Sequence, residues 1–505
     1  MPEASGQESS GQGLKVAVIG GGVAGLAAAL ALRDRACALG VDLAVTVFEK
    51  DTETGGNLRT LNQGGWQFEW GPNGFLDNEP ATLRLVDRLG LRPRLLRSSD
   101  ATRRRFLLVN GKLQEIPLSP KAFLSSKMLS TRGKLRMAGE LLVPGRRDLG
   151  RAAVDITTDE TIDRFGERRL GREFANVMLD PMVKGVFGGE SKQLSLAAAF
   201  PRMVELEREH GGLFRAMIAL GREKRRKGRR TDAGPTGVLH SFDGGMAVLV
   251  DGLARALDED AQAEVVRGAD VAAITRMADG WRVSCSIDGY SVSWPSGEQG
   301  GFTAVLDAAP SHAAARHTAA LDPALSADLA AIPYAPMAVI ALGYPRDKVD
   351  HDLNGFGLLV PGQEKRTALG VLWSSSIFPG LAPDGRVLLR CMAGGAGNPG
   401  AMTLSDDELV KRMLADLGPL LGLRGEPELV NIIRHGRAIA QYVPGHLARL
   451  AAIDAAAARH GSLWFAGSAY RGIAVNACVK ESEMVADKIL AALTGARPQS
   501  AEVAR

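Results

Sequence analysis

Short unbroken apolar runs alternate along this chain with longer amphipathic or alanine-rich stretches. Val16 to Ile19 is apolar and β-branched, which predicts a buried parallel strand. Leu26 to Leu32 follows as a strong helix former, and Leu43 to Glu49 predicts a second strand that ends in an acid. Strand, helix, strand in that order predicts the opening of an α/β fold. Arg103 to Pro117 predicts a hairpin that turns at Asn110-Gly111. From Lys121 onward, Phe123, Met128, Leu135, Met137, Leu141 and Leu142 stand among lysines and arginines. That pattern suits core-facing helices, and equally a helix lying on a membrane surface. Phe165 to Ala198 reads as helical with a break at Gly185 to Gly189. A helix is predicted over Ala247 to Leu257, and strands over Val265 to Ile274, Trp281 to Ile287 and Phe302 to Ala308. Strands with one or two helices fill 325–432, and a strand at Leu463 to Ala466 leads into a long helix from about Asn476.

The chemistry concentrates between the first strand and the first helix. Gly20, Gly22 and Gly25 stand at G-x-G-x-x-G spacing. The first glycine permits a tight turn, the second lets backbone approach a pyrophosphate, and the third lets helix and strand pack closely. The helix N-terminus then presents free N–H groups to phosphate. Glu49, at the end of the second strand, is placed to hold ribose hydroxyls. Gly55-Gly56 with Arg59 forms a second glycine-rich turn, and Gly71 to Gly74 forms a third. Two phosphate-binding turns in one domain suit FAD held stably better than an exchanging nicotinamide. The cofactor domain is therefore discontinuous, over 14–98, 235–324 and 433–495. A mainly helical domain spans 99–234 and a substrate domain 325–432, with 1–13 and 496–505 as disordered tails.

Composition narrows the class without naming a reaction. The chain has 505 residues, 45% hydrophobic and 23% charged, enough for several domains of an ordinary globular protein. Cys37, Cys285, Cys391 and Cys478 are scattered without zinc or redox spacing, and the histidines form no ligand cluster, so no metal site is expected. The polar stretch Met1 to Gly13 lacks the apolar segment of a signal peptide, and no window reads as a membrane span, so a cytoplasmic protein is expected. The net charge of +4 is mild. Its densest cluster, Arg222 to Arg230, reads first as a solvated loop and second as a site for anionic lipid. With no interleaved aromatic residues, nucleic acid is not an expected partner.

Several longer pieces resemble one family. They are Gly71 to Gly74, Arg104 to Leu107, Gly185 to Gly189 with Leu194-Ser195, Gly355 to Pro361, Leu369 to Pro379, Gln441-Tyr442 with Gly445-His446, and Gly472 to Cys478. Over 14–493 the chain resembles the oxygen-dependent porphyrinogen oxidases, the protoporphyrinogen and coproporphyrinogen III oxidase family, relatives of the amine-oxidase flavoproteins. The resemblance implies an α/β and α+β fold: a discontinuous Rossmann-type FAD-binding domain, a mixed-sheet substrate domain and a helical domain that is a candidate for membrane contact. It implies FAD held by Gly20, Gly21, Gly22, Val23, Ala24 and Gly25 at the pyrophosphate and by Glu49 at the ribose. Asn57 and Arg59 would lie in the second turn, and Gly71, Pro72, Asn73 and Gly74 along the flavin. Val271 would give backbone near the adenine, with Gly472, Ile473 and Ala474 at the start of the last helix.

On the substrate side, Arg105 matches the family's carboxylate-binding arginine. Leu359 and Leu372 match residues that sandwich a pyrrole ring, Met392 one that packs on the macrocycle, and Gly185 lies in a glycine cluster that lets a ligand approach backbone. Core packing explains these apolar positions equally well. Three positions depart from the family: Lys184, which would reach a second propionate or solvent, Arg434, where some members carry tryptophan near the cofactor, and Ala440. The implied reaction is the six-electron oxidation of protoporphyrinogen IX to protoporphyrin IX, with oxygen as acceptor and hydrogen peroxide released. Coproporphyrinogen III is the alternative substrate, and a non-catalytic flavin and porphyrin carrier the alternative role. The form Ser374 to Pro379 favours the protoporphyrinogen branch. No side chain is assigned as general base. Candidate partners are ferrochelatase, a second copy of the chain and the inner face of a membrane.

Overall fold

The computed structural model describes residues 13–146, 148–226, 237–294 and 301–495. Of the two expected tails, residues 1–12 and 496–505 lie outside the described residues, as does the part of the basic cluster from Lys227 to Arg230.

Five parallel strands form the first sheet, in the order Ala263–Arg267, Leu43–Glu49, Leu14–Ile19, Ala304–Asp307, Leu463–Phe465. Strands covered on both faces read as unbroken apolar runs, and Val16, Ala17 and Val18 are fully buried at the centre. Helices Val23–Leu39, Ala247–Asp258 and Val475–Thr494 pack on one face through Leu26, Leu249 and Val479. On the other face Ala17 and Ile19 join a core that includes Val271 and Trp281 of a three-stranded antiparallel sheet.

That second sheet corrects the strand expected over Val265 to Ile274. The chain turns at Gly268, in the left-handed region at φ +73°. Ala263–Arg267 therefore pairs with Leu43–Glu49, while Asp270–Met277 pairs with Gly280–Ile287 elsewhere. The apolar pattern continues across the turn because both pieces are half-buried.

Seven strands form the largest sheet, in the order Leu429–Ala440, Tyr334–Pro345, Arg386–Gly394, Ala368–Trp373, Gly357–Leu359, Phe106–Val109, Lys112–Glu115. All pairs are antiparallel except Gly357–Leu359 with Phe106–Val109. The Asn110-Gly111 hairpin forms as the pattern predicts, both turn residues having positive φ. It lies at the edge of this sheet, although the sequence boundary at 99 groups it with the helical part. Helix Asp406–Leu421 covers one face of the sheet, burying Leu409, Met413 and Leu417 against Ile340, Val371 and Leu389.

The helical part is tied by buried charges. Arg169, fully buried, bonds Glu140 and reaches Glu207, and Arg168 bridges Glu160 and Glu207 at 2.8 Å each. The break expected over Gly185 to Gly189 falls later: helix Asp180–Phe187 runs through Gly185 and ends where Gly188 caps it in the left-handed conformation. The basic amphipathic stretch splits its apolar residues. Met128 is buried, while Leu135 and Leu142 are 70% and 85% exposed. Among the described residues no helix is long and apolar enough to cross a membrane, and no group of His, Cys, Asp and Glu is placed to hold a metal ion.

Candidate functional site

The three glycine turns of the sequence meet at the carboxyl end of the parallel sheet. Gly20 turns at φ +103° with the Ala308–Ala309 peptide against it. A Cβ on Gly25 would stand 1.9 Å from the Gly20 carbonyl oxygen, so only glycine lets helix Val23–Leu39 start there. Among the described residues a Cβ on Gly22 would meet nothing within 4 Å, and no side chain caps that helix. The first turn thus leaves open space in front of a helix N-terminus, which suits a pyrophosphate. Gly21 N–H donates to Glu49 Oε2 at 2.7 Å and Asp51 N–H to Oε1 at 2.9 Å. Burial raises the Glu49 pKa, and these two donors oppose the rise.

The second turn docks on the first. Gly55 N–H donates to the Gly21 carbonyl at 2.8 Å. Arg59 pairs with Asp51 at 2.5 Å and lies over the Trp70 ring, with its Nε unpartnered among the described residues. The third turn docks on the second, since a Cβ on Gly71 would stand 2.3 Å from the Asn57 carbonyl oxygen. Pro72 and Asn73 complete that turn. A Cβ on Gly74 would collide with the His240 carbonyl. Val271 is buried beside the acidic strand end, where Ala269 N–H bonds the Glu49 carbonyl at 2.8 Å. Gly472 N–H donates to Tyr442 Oη at 2.7 Å, and Ala474, after Ile473, opens the last helix with no side-chain cap. Asn476 in that helix donates to the Leu76 carbonyl at 2.7 Å. The N-terminal and C-terminal parts of the expected cofactor cradle are therefore one construction, and its open space and free helix N-terminus fit a dinucleotide.

The face of the large sheet opposite helix Asp406–Leu421 meets the cradle side, where Trp66 and Phe68 of strand Trp66–Glu69 pack on Val339, Leu388 and Ile433. Two register rows cross it. In one, Leu359, Gly370 and Met392 are side by side, and in the next Gly357, Leu372 and Arg390. Arg105 precedes the pairing of Phe106 with Leu358 by one residue, and strand alternation sets it on the same face as Leu359. It is exposed, with its guanidinium over the Phe356 ring. Gly185 faces Leu359 so closely that a Cβ would stand 2.7 Å from Leu359 Cδ2. It is a packing point for that leucine, rather than backbone open to a ligand.

The residues that depart from the family are engaged within the protein itself. Lys184 is only 9% exposed and pairs with Asp180 at 3.1 Å and Glu190 at 3.3 Å, so it serves neither solvent nor a free carboxylate. Arg434 bonds Asp406 and the carbonyls of Met402 and Leu404, on the helix-covered face. The next residue, His435, faces the cradle and contacts the Trp70 carbonyl at 3.1 Å. Ala440 is buried beside Gln441, whose amide donates to the Phe187 carbonyl at 2.8 Å.

Sequence reasoning missed Glu69 and Arg390. Glu69 is buried, accepts from Thr60 Oγ1 and Met246 N–H, and its pKa is pushed up to about 7 by burial. Arg390 donates Nη2 to the Gly71 carbonyl at 2.6 Å. A lone arginine in the apolar run Val387 to Met392 was the one signal that pointed to it.

A family model described as flavin containing amine oxidoreductase matches residues 23–490. A coproporphyrinogen III oxidase of Bacillus subtilis (strain 168) is 27% identical, covering 93% of this chain and 96% of that protein. The mitochondrial protoporphyrinogen oxidase of Nicotiana tabacum is 30% identical over 98% of both. A solved structure from Exiguobacterium sp. 255-15, named a protoporphyrinogen oxidase by provisional assignment, superposes with TM-score 0.76 at 24% identity, covering 95% of this chain and 99% of that one.

Proposed function

Because the chain belongs to the flavin containing amine oxidoreductase family, and is an FAD-dependent oxidoreductase, we propose that its substrate is a porphyrinogen, protoporphyrinogen IX in the first instance, oxidised to the porphyrin with oxygen as final acceptor and hydrogen peroxide as co-product. The observation that carries this reading is the sheet face opposite the cradle. Leu359 and Met392, both half-buried, share one apolar face with the buried Leu372, which packs with Ile377 and Phe378, and the exposed Arg105 lies on the same face. A planar apolar macrocycle with acidic side chains matches such a surface, and an arginine fork suits a propionate. The residues of the three turns would hold FAD, which when bound supplies the two-electron acceptor. The apolar row orients the ring against the cradle and excludes water. No side chain is assigned the protons that leave.

Coproporphyrinogen III is the second reading. Arg390 favours it: a second cation on the same sheet face suits a substrate with more carboxylates. The full-length relative from Bacillus subtilis bears that name. Exposed Leu135 and Leu142 in a basic stretch support contact of the helical part with an anionic membrane surface. Incubating the protein under air with each porphyrinogen, and following porphyrin fluorescence and peroxide, tests the reading. Faster turnover of one substrate selects between the two, and turnover of neither refutes both.

A further inference from the structure

Arg390 is an unusual side chain for its place. It stands in an apolar strand, only 7% exposed, and among the described residues it forms no salt bridge. Its guanidinium has three nitrogens and the protein uses one well, Nη2 on the Gly71 carbonyl at 2.6 Å. Nη1 has only the Met392 sulfur at 3.9 Å, and Nε has no hydrogen-bond partner among the described residues. A buried donor left unmade is costly, more so on a charged group. Arg390 borders a cavity of about 20 Å³ that is also lined by Glu69, Asn73, Ser374 and Phe378. That volume admits a water or one ligand oxygen. Glu69, whose charge opposes that of Arg390, spends its carboxylate oxygens on Thr60 and Met246. Burial lowers the Arg390 pKa only to about 10, so it is charged at neutral pH.

The register fixes which way this charge faces. Arg390 pairs with Leu372 and lies two residues before Met392, so all three project from the sheet face that meets the cradle. Its one firm bond goes to the turn that would run along the flavin.

We propose that Arg390 is a binding residue of the reaction chamber, where Nε and Nη1 hold an acceptor oxygen of a bound ligand, either a ring carbonyl of the flavin or a carboxylate of the substrate. The substrate half of the proposal rests on the porphyrinogen reading above, and the flavin half does not.

The test uses Arg390→Gln and Arg390→Lys in the full-length holoenzyme. If the acceptor is the flavin carbonyl, Arg390→Gln raises the FAD Kd about tenfold and lowers the flavin midpoint potential by about 30 mV, a tenfold change in a two-electron equilibrium. Both are read without any substrate. If the acceptor is a carboxylate, FAD Kd and potential stay as in the parent, while KM rises about tenfold for coproporphyrinogen III or protoporphyrinogen IX with a smaller change in kcat. Lysine, which keeps the charge and loses the fork, recovers part of either effect. Should Arg390→Gln fail to fold, Arg390→Lys carries the same readings at reduced size. Unchanged FAD Kd, potential and KM, with only a lower Tm, overturn the proposal and leave Arg390 as a tie to Gly71. Oxidation of neither porphyrinogen by the parent protein refutes the porphyrinogen reading and leaves the flavin arm standing.

Discussion

Gly21 donates its backbone N–H to Glu49 Oε2 at 2.7 Å, which locks the acid of the second strand onto the turn that follows the first. Both carboxylate oxygens are held by backbone, the other by Asp51 N–H. Glu49 is thus preorganised for hydroxyl donors rather than free to rotate. Glu49→Ala removes this fixed acceptor, a loss of roughly 1.5–3 kcal/mol. The FAD Kd should rise roughly 10- to 100-fold, measured by fluorescence quenching on titrating the apoprotein.

Gly22 and Gly25 separate a cofactor role from a folding role. Gly25→Ala sets a Cβ 1.9 Å from the Gly20 carbonyl and should abolish soluble folded protein. Gly22 has an ordinary φ of −77°, and a Cβ there meets no atom of the described residues within 4 Å. Gly22→Ala should therefore fold with the Tm of the parent apoprotein, yet bind FAD at least about tenfold more weakly, because the methyl occupies space the phosphates need. Differential scanning fluorimetry with and without FAD reads both.

Gly185→Ala should act on the substrate patch through Leu359. The new methyl would press on Leu359 Cδ2 from 2.7 Å and push that side chain across the sheet face. Overpacking of this kind costs about 1–3 kcal/mol. KM for the porphyrinogen should rise several-fold while FAD Kd stays unchanged, which steady-state kinetics and a flavin titration distinguish.

Glu69 makes stability depend on pH with a sign opposite to that of a salt-bridged acid. Its folded pKa is about 7 against an ordinary 4.5, so between those values the folded state binds more protons than the unfolded one. Stability contributed at this position is present below pH 4.5 and falls as pH rises to 7, by about 3 kcal/mol. Glu69→Gln removes that slope. The difference in unfolding free energy between parent and variant should fall across this window, measured by urea titrations at several pH values.

The glycine turns and the strands around them were legible in the sequence because their requirements are local. A backbone that must take φ +103° at Gly20, or approach a carbonyl at Gly25, leaves its mark at those residues. What escaped leaves no mark on the residues concerned. The turn at Gly268 separates two strands whose apolar pattern continues across it. Lys184 finds partners four and six residues away, which a positive charge in a helix does not announce. Arg434 stands where some family members carry a residue near the cofactor, yet it is His435 that faces the cradle, because in a strand one residue reverses the face. Arg390 acquires its meaning only from Gly71, 319 residues distant.

The most direct test of the central claim is anaerobic mixing of the FAD-loaded protein with protoporphyrinogen IX and, separately, with coproporphyrinogen III. The flavin absorbance and the porphyrin fluorescence are followed together, and air is then admitted. The account predicts that the flavin bleaches as porphyrin appears, and that its colour returns with peroxide once oxygen enters. A flavin that stays oxidised with both substrates, in protein that binds FAD tightly, would contradict it.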